Sequence, residues 1–392
     1  MSESLFEQLK HLQETSGTDS AIHQLIESLT EQKNYDRLFE AMLLKHRFEM
    51  GLPLAQPTSL DVPEERRQEF EDHYIETARE VGELFLKDGN IPRAWPYLRT
   101  IGETKKVREV LDKLSTNREA DEETEQYIAI ALHEGAHPVK GLELMLKTYG
   151  ICNTITTFDQ ALQQQILKGD DQKQAAALLV NELYQDLTHT LQHEVQNRIA
   201  MVPPGSTIHE LIAGRDWLFE NDNYHIDVSH LNSVVRFARA FDRDTPELGQ
   251  VIDLCEYGSK LSPQFQYAGD PPFDEYYPAH LHFFKVLAGE NVDEHLQYFK
   301  DRLEAEPDEE DKPYLAIVLV DLLMRLERYE EAVDAATPYL CQVNDLSENG
   351  FSYARLCQQA KRYDAWQAAC ERAGDYVGYA AAVIQASQEA EK

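Results

Sequence analysis

The chain has 392 residues, 37 Lys and Arg against 70 Asp and Glu, a net charge of −33 and 42% hydrophobic residues. That much apolar content excludes global disorder, which combines high charge with low hydrophobicity. The acidic excess argues against nucleic acid and anionic membrane as partners, because both need a basic face. The opening MSESLFEQLKHLQ has neither a basic nor an apolar leader segment, so no secretory signal is expected. No uncharged apolar run approaches membrane-spanning length. The five cysteines, at 152, 255, 341, 357 and 370, form no CxxC, and reduced thiols in a cytoplasmic protein are the expectation.

In chain order, helix follows helix. Apolar residues recur at three and four, and punctuation such as Gly51-Leu52-Pro53, Gly89-Asn90, Gly150 and Pro203-Pro204-Gly205 falls every 12 to 20 residues. Leu179, Leu183, Leu187, Leu191, Val195 and Ile199 make one stripe on one helix. Residues 326–336 read LERYEEAVDAA and residues 360–370 read AKRYDAWQAAC, placing Tyr329 and Tyr363, and Leu322 and Leu356, 34 apart. Related phrases stand at 32–42 (QKNYDRLFEAM) and 87–98 (KDGNIPRAWPYL).

A 34-residue period with a helix–turn–helix in each unit resembles the tetratricopeptide-like repeats, best at 313–374. The resemblance implies an all-α fold: a right-handed superhelix, or solenoid, of stacked antiparallel helix pairs, with a less regular helical middle section. It also implies that Tyr329 and Tyr363 occupy equivalent places, with Ala335, Ala336, Ala369 and Cys370 in helix contacts. The expected division is 1–150 for N-terminal helical hairpins, 151–290 for the irregular middle, and 291–392 for the repeats. A binding scaffold or adaptor for a protein or peptide, preferably basic, is the function it implies. No cofactor is required for that.

The sequence holds several chemical temptations. His133-Glu134-Gly135-Ala136-His137 has the spacing of a zinc protease, which needs one continuous helix through both histidines. Gly135 and Pro138 instead predict a turn between two helices, with Glu134 facing solvent or a neighbouring cap. Thr207 and Glu210 form a capping box. A stronger constellation lies in the middle, where ten of fourteen histidines fall between His133 and His295. Asp186 with His189, and Asp227 with His230, share a D-x-x-H spacing on two predicted helices. With Glu182, His193 and His225 they form an alternative site for a divalent transition metal in a helical hydrolase or di-metal oxidase. Against it, Asp227 is placed to cap a helix, and a capping carboxylate is a poor ligand.

The loop 262–278, SPQFQYAGDPPFDEYYP, is too long for a simple connector. Its aromatics, Phe265, Tyr267, Phe273, Tyr276 and Tyr277, either pack inward or present an interaction face. The acidic run 304–311 reads as a solvated connector whose last acids favour the start of the following helix, with Pro313 in its first turn.

Overall fold

A computed structural model describes residues 4–55, 61–198, 203–341 and 351–390. Among these the protein is all helical, with no strand, and no helix is long and apolar enough to cross a membrane. The chain forms two compact units, residues 1–171 and 172–392. Residue 150 lies at a kink inside one helix, and 290 at the turn after a left-handed Gly289.

The first unit holds α1 (Leu5–Thr15), α2 (Thr18–Glu31), α3 (Tyr35–Glu49), α4 (Arg67–Lys87), α5 (Ile91–Thr100), α6 (Thr104–Asp112), α7 (Glu122–Ile128) and α8 (Pro138–Gln163). Each packs mainly on its neighbours in sequence. Ser4 and Glu7 cap α1 reciprocally, Asn90 caps α5, and Asp121 caps α7. Each side-chain oxygen satisfies a backbone N–H that the first helical turn leaves unpaired. Leu38, Val81, Trp95, Leu98, Leu111 and Tyr127 are buried in one core.

The second unit takes in nearly all of α9 (Gly169–Gln196), then α10 (Ile208–Ile212), α11 (Val228–Phe237), α12 (Leu248–Ser259), α13 (Tyr276–Ala288), α14 (Val292–Ala305) and α15 (Lys312–Arg325). It ends with α16 (Tyr329–Ala336), α17 (Tyr353–Gln359), α18 (Tyr363–Ala373) and α19 (Tyr376–Ala390). The stripe on α9 is core: Leu179, Leu183, Leu187, Leu191 and Val195 are all fully buried, while Ile199 lies outside the described residues. Gly258 lets α12 and α13 approach, since a Cβ there would strike the Tyr277 ring. The acidic run ends as expected, with Asp311 preceding α15 and Pro313 in its first turn.

The four echoing phrases adopt one corner. Lys33, Gly89, Glu327 and Lys361 are left-handed, with φ of 53°, 78°, 59° and 55°. The residue after each, Asn34, Asn90, Arg328 or Arg362, has ψ between 59° and 75° and precedes a new helix. Its N–H donates to a carbonyl five residues back, at 2.8–2.9 Å in every case, which closes the preceding helix in the manner of a Schellman turn. Tyr329 and Tyr363 accordingly both open helices, and Leu322 and Leu356 are both fully buried. The expected alanine contacts need one correction. Ala336, Ala369 and Cys370 are buried, but Ala335 is only half-buried, because α16 turns its neighbour Ala336 to the core.

Candidate functional site

The HExxH segment is a corner. After α7, one π-helical turn spans Ala129–His133, and Gly135 then turns the chain at φ 75°. His137 caps α8 through Nδ1, which accepts from the Lys140 N–H at 3.4 Å, and its Nε2 lies 3.4 Å from Asp112. His133 points into solvent, so the two imidazoles do not converge. Glu134 accepts from Trp95 Nε1 at 2.5 Å and pairs with Arg99. Pro92, Pro96 and Ile130 complete a cleft of about 300 Å³ around this joint.

The histidine constellation is not brought together. Among the described residues, no group of three or more His, Cys, Asp or Glu side chains is arranged to hold a metal ion. Asp186, His189 and His193 lie on the exposed face of α9, and Glu182 is half-buried. Asp227 caps α11, accepting from the Ser229 and His230 N–H groups at 2.8 and 3.2 Å and from the Ser229 hydroxyl. His225 is engaged with the Tyr257 hydroxyl at 3.2 Å and Asn223 at 3.3 Å, and burial lowers its pKa.

The aromatic loop divides. Phe273, Tyr276 and Tyr277 are 4%, 6% and 0% exposed. Tyr276 and Tyr277 open α13, Tyr276 donates to the Asn232 carbonyl at 2.6 Å, and Phe273 stacks on His280 at 4.3 Å. Burying three rings outweighs leaving them in water. Phe265 is half-buried against Tyr224, with centroids 5.1 Å apart. Tyr267, at 44%, is the one candidate left well exposed.

Tyr267 stands at a cleft of about 640 Å³ with three walls. One is Asn232, Arg236 and Arg239, which recur at i, i+4 and i+7 and so share a face of α11 and the short 3-10 turn after it. The second is the loop from Tyr267 to Tyr276. The third is the start of α15, where Asp311, Tyr314, Leu315 and Val318 share a face in the same way. Asp270, Asp311 and Tyr314 are exposed, Tyr314 at 61%.

The interior is cationic. The Arg239 guanidinium lies over the Phe273 ring, 4.6 Å from its centroid. Burial lowers its pKa, and the like charges of Arg236 and Arg325 add to that, while Tyr276 and Asp321 oppose it. A guanidinium nonetheless remains charged at neutral pH. His280 is fully buried; its Nδ1 bonds the Tyr276 carbonyl at 2.7 Å and its Nε2 has no partner among the described residues. Burial, and then the charge of Arg239, push its pKa down to about 3, so it is neutral.

Sequence reasoning missed Arg236, Arg239 and Tyr314. The signal was present: Arg236, Arg239 and Arg243 fall within eight residues of a strongly acidic chain. A second network was also missed. His209 pairs with Glu256 at 2.5 Å, while Asp253 accepts from Tyr184 at 3.0 Å and from the His209 N–H at 3.3 Å. The bond to Glu256 raises the His209 pKa, and burial raises that of Asp253. The Thr207–Glu210 capping box forms beside it. No model of a known protein family matches the chain, and no curated protein is detectably similar to it.

Proposed function

We propose that this protein is a tetratricopeptide-like binding scaffold, a superhelical solenoid of stacked helix pairs that takes a protein or peptide partner. The observation that supports the reading is the corner shared by 327–329 and 361–363, 34 residues apart, with the same backbone turn, the same hydrogen bond and the same buried leucine before it. One helix pair cannot bury its apolar face alone, so recurring pairs stack, and stacking generates extended binding surfaces. Partner binding from such a fold is an analogy with other repeat proteins. Tyr267 and Tyr314 are the exposed rings best placed to border a partner site.

A charge of −33 selects the partner's sign: basic segments are steered in and acidic ones are slowed. The test is a display library of peptides panned on the immobilised chain, followed by association kinetics of enriched peptides across a salt series. Enriched sequences should carry Lys and Arg. Their association rates should fall as the Debye length drops below about 10 Å. Tyr267→Ala and Tyr314→Ala should weaken binding without moving Tm. Absence of enrichment, or tight binding of bare duplex DNA, would overturn the reading.

A further inference from the structure

The cleft beneath Tyr267 contains a positive charge that no described residue pairs with. Among the described residues the Arg239 side chain makes no hydrogen bond or ion pair, and its guanidinium lies over the Phe273 ring. The two groups whose charge acts on it most favourably, Tyr276 and Asp321, are committed elsewhere. Asp321 pairs with Arg325 at 2.8 Å, and Arg325 donates to the Arg239 and Phe241 carbonyls at 2.9 and 2.5 Å. The Tyr276 hydroxyl gives its proton to the Asn232 carbonyl. His280, stacked on Phe273, is neutral. A charge withdrawn from water is normally paired, and here the missing partner has a cavity to occupy.

The surroundings state what that partner is. Pro271, Pro272, Leu315 and Val318 are apolar, and Tyr276, Tyr267 and Tyr314 offer ring surface. Asp270 and Asp311 stand at the cleft in a chain already at −33, a field that penalises a second negative charge on the ligand. A volume of about 640 Å³ lies within the range of small-molecule sites. We propose that this cleft is a binding site for a small monocarboxylic acid with a flat apolar body. Its carboxylate is taken by the two-donor fork of Arg239, and its body lies against the tyrosine rings. A guanidinium matches a planar carboxylate with two parallel hydrogen bonds, which an ammonium cannot do. The proposal goes beyond partner binding and stands without it.

The test uses the full chain with 3-phenylpropionate and indole-3-acetate, their carboxamides, and phenyl phosphate. Calorimetry and the Arg Nε–Hε NMR signals are the readouts. Both acids should bind and shift the Arg239 signal, and the amides should be at least about tenfold weaker, the loss of a hydrogen bond to a charged group. Arg239→Gln should lose binding by a similar factor and Arg239→Lys by part of it. Arg99→Gln, in the other unit, should bind as the native chain does. If Arg239→Gln does not fold, the acid–amide contrast and the native NMR shift decide. Amides that bind as well as acids, or acids that leave the Arg239 signal unmoved, would overturn the proposal. Tighter binding of phenyl phosphate would overturn the single-charge assignment. Binding of Asp- or Glu-containing peptides through Arg239, with none of the free acids, would replace the small molecule by an acidic segment. Failure of all peptides alongside success of the acids would leave this site standing and remove the scaffold reading.

Discussion

Two clefts of this molecule are built from the same parts and end in opposite states. Each sets an arginine over an aromatic ring beside a proline: Arg99 over Trp95 at 5.8 Å, and Arg239 over Phe273 at 4.6 Å. In the first, Glu134 answers both the guanidinium and the indole N–H. In the second no carboxylate among the described residues pairs with the guanidinium, and the volume is about 640 Å³ rather than 300 Å³. The difference teaches that a cation beside a ring is a joint when its counter-charge is in the chain, and an open valence when it is not.

Phe273→Ala gives the largest expected effect, because it removes a buried ring and the shelf beneath Arg239 together. Chemical denaturation should show a loss of about 3–5 kcal/mol, whereas Tyr267→Ala should stay within about 0.5 kcal/mol. Equal effects would mean that the two rings do not differ in burial.

Acid titration probes the imidazole stacked on Phe273. The folded imidazole of His280 has a pKa of about 3, against about 6.5 for an unfolded histidine. Between those values the unfolded chain holds a proton that the folded chain does not. The stability associated with a neutral His280 is therefore full above pH 6.5 and is lost as pH falls toward 3, by at most about 1.4 kcal/mol per pH unit. His280→Gln should flatten that limb relative to the native chain. A parallel pH profile would show that His280 protonates freely in the fold.

The closed joint is tested by two substitutions at one position. Glu134→Ala removes the acceptor from the indole of Trp95, a residue 4% exposed, and should cost about 1–2 kcal/mol. Glu134→Gln keeps an acceptor and loses only a solvent-screened ion pair, with Arg99 58% and Glu134 37% exposed, so it should cost under about 1 kcal/mol. The smallest effect sharpens the comparison most. Arg99→Met should destabilise slightly, whereas Arg239→Met should leave Tm unchanged or raise it, because an unpaired charge is exchanged for an apolar side chain. Destabilisation by Arg239→Met comparable to Phe273→Ala would mean that the guanidinium is a structural element.

The sequence made the turn at 133–138 legible because Gly135 and Pro138 act locally. A left-handed residue followed closely by a missing N–H favours a break between helices whatever lies across space. The capping roles of Asp227 and Thr207 were legible for the same reason, as were the corners at Tyr329 and Tyr363. The inward packing of Phe273, Tyr276 and Tyr277 was open at that level, since an aromatic run in a Pro-rich segment is compatible with either face. The D-x-x-H pairs show the converse. Their spacing is a property of one helix, but a metal needs several helices to converge, and spacing along α9 and α11 carries no information about that.

The sequence by itself determined the all-helical class, the positions of the corners, the buried stripe of α9 and the sign of the charge. Each follows from φ/ψ preferences, helical periodicity or simple counting, and none requires knowing what lies across space. Only the tertiary structure decided which loop aromatics are core, that Glu134 serves Trp95 and Arg99, and that Arg239 stands without a carboxylate among the described residues. Those facts join residues far apart in sequence, such as Arg239, Phe273 and Tyr314. Whether a charge is answered depends on which distant side chains the packing of helices brings within reach.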